Sequence, residues 1–411
     1  MIVRLLAALL ILVSFETPAV VGGHIQLLPT LTDYQTDDIA AVYGDNPAFD
    51  QALDLRLKAE GRSAGWEGAI HYELLALGGD GVATRQALAA AGWIANSSGL
   101  PNDKRRLFGL TRRIVDEDRI ESVHRIDRLT LGYSSNQWVI RAGRQAVSWG
   151  NGLAFQALDF INPFAPLAIN KDYKSGDDLL YTQYLFESGN DLQAVVLPRR
   201  DPVTGEVESD QSTVGVRFHA MESEFDLQLA WHYGEPRLGI GLAQPVGEAV
   251  WRFDLDLSRN SEGEWLTTLV TNLDYSWVWF NHNTYGYLEY FHSGVGENSR
   301  SDYLLPDSEL SARIARGELY TLAQDYIAAG LNVEVTPLLQ FAPIVLLNLN
   351  DESGALQMGF NYDWGENLQL LGGVSLPWGE RGSEFGGVTV PTTPYYLSAG
   401  RQLYLQLGYF F

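Results

Sequence analysis

From about residue 50 to the end, the chain alternates apolar and polar side chains with a period of two. In one stretch Leu53, Leu55, Leu57 and Ala59 alternate with Asp54, Arg56, Lys58 and Glu60. In another, Phe225, Leu227, Leu229 and Trp231 alternate with Asp226, Gln228 and His232. Successive side chains of a strand point to opposite faces, so each such segment reads as a strand with one apolar and one hydrophilic surface. Turn residues separate the segments. The pattern predicts strands near 50–60, 66–78, 121–133, 136–148, 179–187, 191–198, 212–221, 224–233 and 237–243. It continues with strands near 247–257, 264–279, 283–292, 323–336, 339–350, 354–364, 367–376 and 400–411.

About seventeen strands are too many for one sandwich, whose sheets are smaller. Trp, Tyr and Phe gather near strand ends, as at Trp277, Trp279, Phe280 and Trp364. Such girdles flank the apolar band of a barrel in lipid. The expected fold is therefore all-β: a transmembrane antiparallel barrel. An even strand count is the rule for bacterial barrels, so 16 or 18 strands are expected. Either one strand is missing before Asp50, around Tyr34 to Tyr43, or one assignment is false. Counting back from the last strand puts every short connection on one side. The long ones, near 79–120, 149–178, 199–211, 293–322 and 377–399, fall on the other. Short periplasmic turns and long external loops are the asymmetry of such barrels. Ala83–Ala91 and Leu310–Leu322 have helical spacing within external loops, with plain loop as the alternative.

The first 23 residues carry Arg4 and then an apolar run from Leu5 to Phe15, with Ala19 or Gly23 as cleavage positions. That run is shorter than the roughly 20 residues a spanning helix needs, and it reads as a signal peptide. The expected division is a signal peptide at 1–23, a periplasmic segment or first strand at 24–49, and a barrel at 50–411 with an inserted loop at 149–178. The chain has no cysteine, which excludes disulfides and thiolate chemistry. Its formal charge of −23 argues against nucleic acid as a partner.

Charge is unevenly placed. Ten of the 28 basic residues fall between Lys104 and Arg144, and the stretch from Asp159 to Asp178 leans acidic. A basic wall facing an acidic inserted loop would set a transverse field across a constriction. The candidates are Arg125, Arg128, Arg141, Arg144, Gln145, Asp172, Asp177 and Asp178; the alternative is ordinary ion pairing in lumen and loops. The seven histidines show no metal-site spacing, and neither HExxH nor GxSxG occurs, so no enzyme, metal or cofactor is expected.

Two motifs carry resemblances. The last strand puts Leu403, Leu405, Leu407, Tyr409 and Phe411 on one face. It resembles the assembly signal of bacterial outer-membrane barrels, carried by Leu405, Leu407, Tyr409 and Phe411, with Gln406 where glycine is usual. Gly143-Arg144-Gln145, then Trp149-Gly150, then Asn162-Pro163 resemble a group of porin-like outer-membrane proteins. That resemblance implies an outer-membrane barrel of porin type and does not itself imply a substrate; the function expected of the chain is a channel for small polar solutes or ions in the outer membrane of a Gram-negative cell. Its implied partners are lipid, lipopolysaccharide, the insertion machinery and the solute, with homo-oligomerisation left open. The rivals are a plugged barrel serving as scaffold, export partner or receptor, and a barrel hydrolase. Strict alternation sends Arg144 toward lipid and Gln145 inward, whereas a bulge at Gly143 would turn both inward. Trp149 would then mark the membrane interface.

Overall fold

The computed structural model describes residues 20–94, 98–171, 173–260, 262–304 and 306–411. Its strands are β1 (Val20–Asp33), β2 (Ala48–Ser63), β3 (Trp66–Gly79), β4 (Thr111–Glu117), β5 (Ile120–Ser134), β6 (Trp138–Gln145) and β7 (Asp177–Leu185). They continue with β8 (Asp191–Arg200), β9 (Val207–Ala220), β10 (Phe225–His232), β11 (Glu235–Val246), β12 (Ala249–Arg259), β13 (Trp265–Trp279) and β14 (His282–Ser293). The last are β15 (Asp325–Thr336), β16 (Leu339–Asn348), β17 (Gly354–Asp363), β18 (Leu368–Trp378), β19 (Val388–Thr389), β20 (Tyr396–Leu397) and β21 (Arg401–Phe410). All ladder pairings are antiparallel, and β1 pairs with both β2 and β21, which closes the sheet. Leaving out β4, β19 and β20, which belong to loops, the closed barrel has 18 strands. Closure matters because lipid offers no hydrogen-bonding partner to a free strand edge.

At the seam, Gly23 and Phe411 exchange backbone hydrogen bonds of 2.7 and 3.0 Å. A Cβ at Gly23 would lie 2.2 Å from the Arg56 carbonyl oxygen and 2.9 Å from the Phe411 ring. Glycine is thus required where first and last strands meet.

The predicted alternation holds in space. Ile25, Leu27, Leu57, Leu131, Leu180, Leu229, Leu288 and Leu405 are exposed on the outer surface, while His24, Gln26, Arg56, Glu73, Gln193 and Gln228 are buried within. Exposed Trp66, Tyr133, Trp138, Trp279, Phe280, Trp364 and Tyr409 ring the short-turn end. Exposed Phe49, Trp231, Trp265 and Trp378 mark the other end. These are the two girdles of a membrane barrel, with an apolar band between them.

The eighteenth strand is Val20–Asp33, not the stretch around Tyr34–Tyr43, where a short helix α1 (Ile39–Tyr43) sits. Gly22, Gly23 and Pro29 blur the alternation of β1, and Pro29 cannot donate to the ladder. All seventeen strands expected from the pattern are present. The helical expectations are met by α2 (Asp80–Ala90) and α3 (Ser308–Arg316); α3 stops at Gly317, whose φ of 76° ends it short of Leu322.

One part of the wall departs from simple hairpins. The chain leaves the wall after Gln145 and returns at Asp177, which opens a gap between the upper halves of β5 and β8. An earlier segment fills it. Arg200 N–H donates to Arg105 O at 3.0 Å, and Ile126 N–H donates to Leu110 O at 3.2 Å. β4 then pairs with the upper part of β5.

Candidate functional site

The segment 146–176 enters the lumen, and its anchors are lumen-facing side chains around much of the circumference. Trp149 Nε1 donates to Gln193 Oε1 on β8 at 2.8 Å. Asn151 binds Asp254 on β12 through backbone N–H (2.6 Å) and side-chain amide (2.9 Å). The backbone N–H groups of Leu153, Ala154 and Phe155 all donate to the Glu289 carboxylate on β14, at 2.7, 3.0 and 2.7 Å. Phe155 stacks on Phe291 at 4.1 Å between centroids. Asn170 reaches Gln26 on β1 at 3.1 Å, and Tyr173 lies under the Arg56 guanidinium at 4.2 Å. Irregular backbone at membrane depth is tolerated only where such partners satisfy it. Gly150, at φ 95°, turns the chain where a Cβ would stand 3.0 Å from Asp254 Oδ2.

Trp149 therefore does not mark the interface. It is 4% exposed and buried inside the barrel, because the chain has already left the wall when it reaches that residue. Nor does Gly143 host a bulge. Its φ is 117°, yet the register runs unbroken from Gly143↔Leu179 through Arg144↔Asp178 to Gln145↔Asp177. Arg144 shares a face with Ala142 and Ile140, the outward one, and Gln145 takes the inward face.

Arg144 does not meet lipid, because residues 103–110 cover it. Its Nε and Nη2 donate to the two Asp178 oxygens at 2.8 and 2.9 Å, and Nη1 donates to Asp103 at 3.1 Å. Nη1 and Nη2 also reach the carbonyls of Ile126 and Phe108. Asp178 in turn accepts from Phe108 N–H at 2.8 Å. A planar guanidinium suits this multidentate role, which an ammonium could not fill. Asp177 pairs with Arg199 at 2.7 Å.

Deeper in the lumen, Arg125 and Arg56 share Glu73 and Asp127, and Arg128 joins at Asp127. The ladder between β3 and β5 shifts register at His71/Tyr72, which leaves Asp127 as the extra residue and turns it and Arg128 to the same side. Arg141 pairs with Glu67 and is the most accessible of the candidate arginines. Asp172 lies outside the described residues. The structure thus brings Arg125 and Arg128 into one cluster, places Arg141 and Gln145 beside it, and puts Arg144 and Asp178 in the wall. Asp127 is the acid that the alternative of ordinary ion pairing offers these arginines, whereas Glu73, Asp254 and Glu289 were not singled out from sequence. Inward parity was their only signal.

The lumen has two unlike sides. Below the insert, between β2, β3, β5 and β6, is a cavity of about 500 Å³ lined by Glu60, Arg62, Glu67, His71, Arg128, Arg141 and Gln145. Across the barrel, between the insert and β14–β18, is one of about 330 Å³ lined by Tyr285, Tyr287, Tyr404, Asn332, Gln340, Gln357 and Asn361. Above the insert, loops close in. Tyr320 Oη donates to Pro163 O at 3.0 Å, and Arg313 of α3 donates to Ser258 at 2.9 Å. Glu384, in the last long loop, accepts from Leu322 N–H (2.8 Å), Tyr326 Oη (2.5 Å) and Asn348 Nδ2 (2.9 Å). Burial pushes its carboxyl up to about 7 despite those three donors.

No protein-family description matches the chain, and no curated protein matches it in sequence. Solved structures do match. A BenF-like porin from Pseudomonas fluorescens Pf-5 aligns with a TM-score of 0.51 at 9% identity, over 96% of this chain and 99% of its own. Acinetobacter baumannii OccAB2 aligns at 0.50 and 12% identity, over 96% and 98%. Pseudomonas aeruginosa OccK2 (OpdF), in complex with glucuronate, aligns at 0.50 and 11% identity, over 97% and 98%. In fold, this 18-stranded antiparallel barrel is similar to these solved structures.

Proposed function

We propose that the chain is an outer-membrane channel through which small polar solutes or ions diffuse past the 146–176 insert. The observation that carries this reading is the insert itself. It is held by side-chain hydrogen bonds, and it leaves cavities of about 500 and 330 Å³ between itself and the wall. Solvated charges along such a path tune ion selectivity. Arg128, Arg141 and Gln145 line the first cavity and are the residues assigned that role, with Arg125 behind them. Arg144, Asp177 and Asp178 act one step back, by holding the mouth of the insert in the wall. One solved neighbour is named a BenF-like porin and another, OccK2, is in complex with glucuronate, which fits a small polar solute.

The rival reading is a plugged barrel serving as scaffold, export partner or receptor. The insert's contacts with strands from β1 to β14 favour it. Planar-bilayer recording of the folded, purified protein separates the two. Discrete conductance steps are expected, and a silent membrane across salts and voltages would leave the plugged reading standing.

Export to a Gram-negative outer membrane belongs to the same proposal, with lipid, lipopolysaccharide and the insertion machinery as partners. The outward row of Leu405, Leu407, Tyr409 and Phe411 is the proposed assembly signal. Cleavage after Ala19 would keep β1 whole, whereas cleavage after Gly23 would remove the Gly23–Phe411 pairing. Mass spectrometry of the mature N-terminus distinguishes them.

A further inference from the structure

The tyrosine-and-amide cavity on the far side of the insert differs in kind from the charged one. We propose that it is a binding subsite for a neutral polyhydroxylated ring, of monosaccharide size, on its way through the lumen. The proposal rests on the channel reading and names a solute class for it. Four observations support it.

The first is the placement of two aromatic rings. Tyr287 lies across Gly330, its direct cross-strand partner; a Cβ there would stand 2.4 Å from the ring. Tyr404 lies across Gly373 in the same way, with its hydroxyl 2.7 Å from where a Cβ would be. Each ring is therefore laid over a bare patch of wall. Aromatic rings with a polar tip suit a ligand that has an apolar C–H face and a hydroxyl rim.

The second is the polar complement. Asn332, Gln340, Gln357 and Asn361 bring amides, each both donor and acceptor, as a hydroxyl is. Gln357 Nε2 donates to Tyr404 Oη at 3.0 Å, which orients one pair. Asn361 Oδ1 is buried and has no hydrogen-bond partner among the described residues. A buried acceptor without a donor is the exception in folded proteins, and a ligand hydroxyl would satisfy it.

The third is charge. Among the described residues lining the cavity, Lys171 alone carries one, and its ammonium already donates to Pro166 O at 2.9 Å. The fourth is size and access. About 330 Å³ falls within the range of small-molecule sites. The cavity also shares Tyr285, Asn332 and Gln340 with another, of about 400 Å³, at the short-turn end.

Calorimetry on the folded protein in detergent, titrated with glucose and separately with glucuronate at matched ionic strength, tests this. Saturable glucose binding is expected. Asn361→Leu and Tyr404→Ala should each weaken it by about tenfold, equivalent to 1.4 kcal/mol. Tyr404→Phe, which keeps the ring, should retain most of it, and Arg141→Ala should leave it unchanged. Far-UV circular dichroism of each variant confirms the barrel. The inference is overturned if glucose does not bind saturably, if glucuronate binds more tightly, or if Arg141→Ala weakens glucose as much as Asn361→Leu does. Binding in detergent needs no open path, so the two failures are distinguishable: saturable glucose binding with a silent planar bilayer would sink the channel reading and the ring's passage with it, whereas conductance steps without glucose binding would sink the subsite alone.

Discussion

The β2–β7 side of the lumen and the β14–β18 side have the same strand periodicity and opposite chemistry. On the first side, arginines and carboxylates interlock: Arg56, Arg125 and Arg128 with Glu73 and Asp127, and Arg144 with Asp178 and Asp103. On the second, the inward positions around the cavity hold tyrosine, asparagine, glutamine and glycine, with the carboxylates Glu289 and Glu334 outside it. The reason lies in what each side must support. The first side loses the upper part of the wall between β5 and β8 where the insert leaves and returns, and directional ion pairs tie the replacement segment in place. The second is a meander that stays paired strand to strand, with one local register shift in β15–β16 at Glu334, so its inward residues are free to serve the lumen. A charge on a lumen-facing strand is therefore of two kinds: locked into the wall or facing solvent.

The largest expected effect tests the locked kind. Arg144→Ala should destabilise the barrel by about 3–5 kcal/mol, because it takes from buried Asp178 its arginine partner, whereas Asp103 keeps Arg106. Arg144→Lys should recover only part of that loss. Urea unfolding in detergent reads both, and Gln357→Ala on the neutral side should cost far less. A wild-type midpoint for Arg144→Ala would dissolve the distinction between locked and free charges.

Next comes the border between the two sides. Glu289→Ala leaves three insert N–H groups without their acceptor, at about 1–3 kcal/mol for unpaired buried donors. The insert should loosen, and single-channel conductance should rise or become noisy. An unchanged trace would mean that the apolar packing around Phe155 holds the insert unaided.

Smaller still is the solvent-facing charge. Arg141→Ala should shift ion selectivity toward cations by an amount worth about 1 kcal/mol or less, the scale of a solvated ion pair. Asn361→Leu, across the lumen, should not shift it. The reversal potential in a salt gradient gives both values.

The smallest effect lies outside the membrane. The Glu384 carboxyl is raised from its ordinary 4.5 to about 7, first by burial. A raised carboxyl stabilises the folded loop in its protonated form. That contribution is full below about 4.5 and is lost as pH rises through about 7. Hydrogen exchange in residues 379–387, corrected for its intrinsic pH dependence, should lose protection as pH rises from about 4.5 to about 7, and Glu384→Gln should flatten that loss.

Alternation along the chain is enough to reveal the barrel, the short turns at one end and long loops at the other, and the inward or outward face of most strand residues. Period-two alternation is a local property, so seventeen strands were legible from side-chain order alone. β1 escaped because Gly22, Gly23 and Pro29 interrupt that order, and only pairing with β2 and β21 reveals it. Tertiary structure decided what parity cannot carry: depth and position around the circumference. Arg144 has outward parity, and nothing near it in sequence says that residues 103–110, some forty positions earlier, return to cover it. Trp149 reads as an interface residue until the chain is seen to leave the wall before it. Tyr287, Asn361 and Tyr404 read as unremarkable inward positions on three separate strands. Closing the barrel sets them around one cavity, because closure alone brings strands distant in sequence to face the same insert.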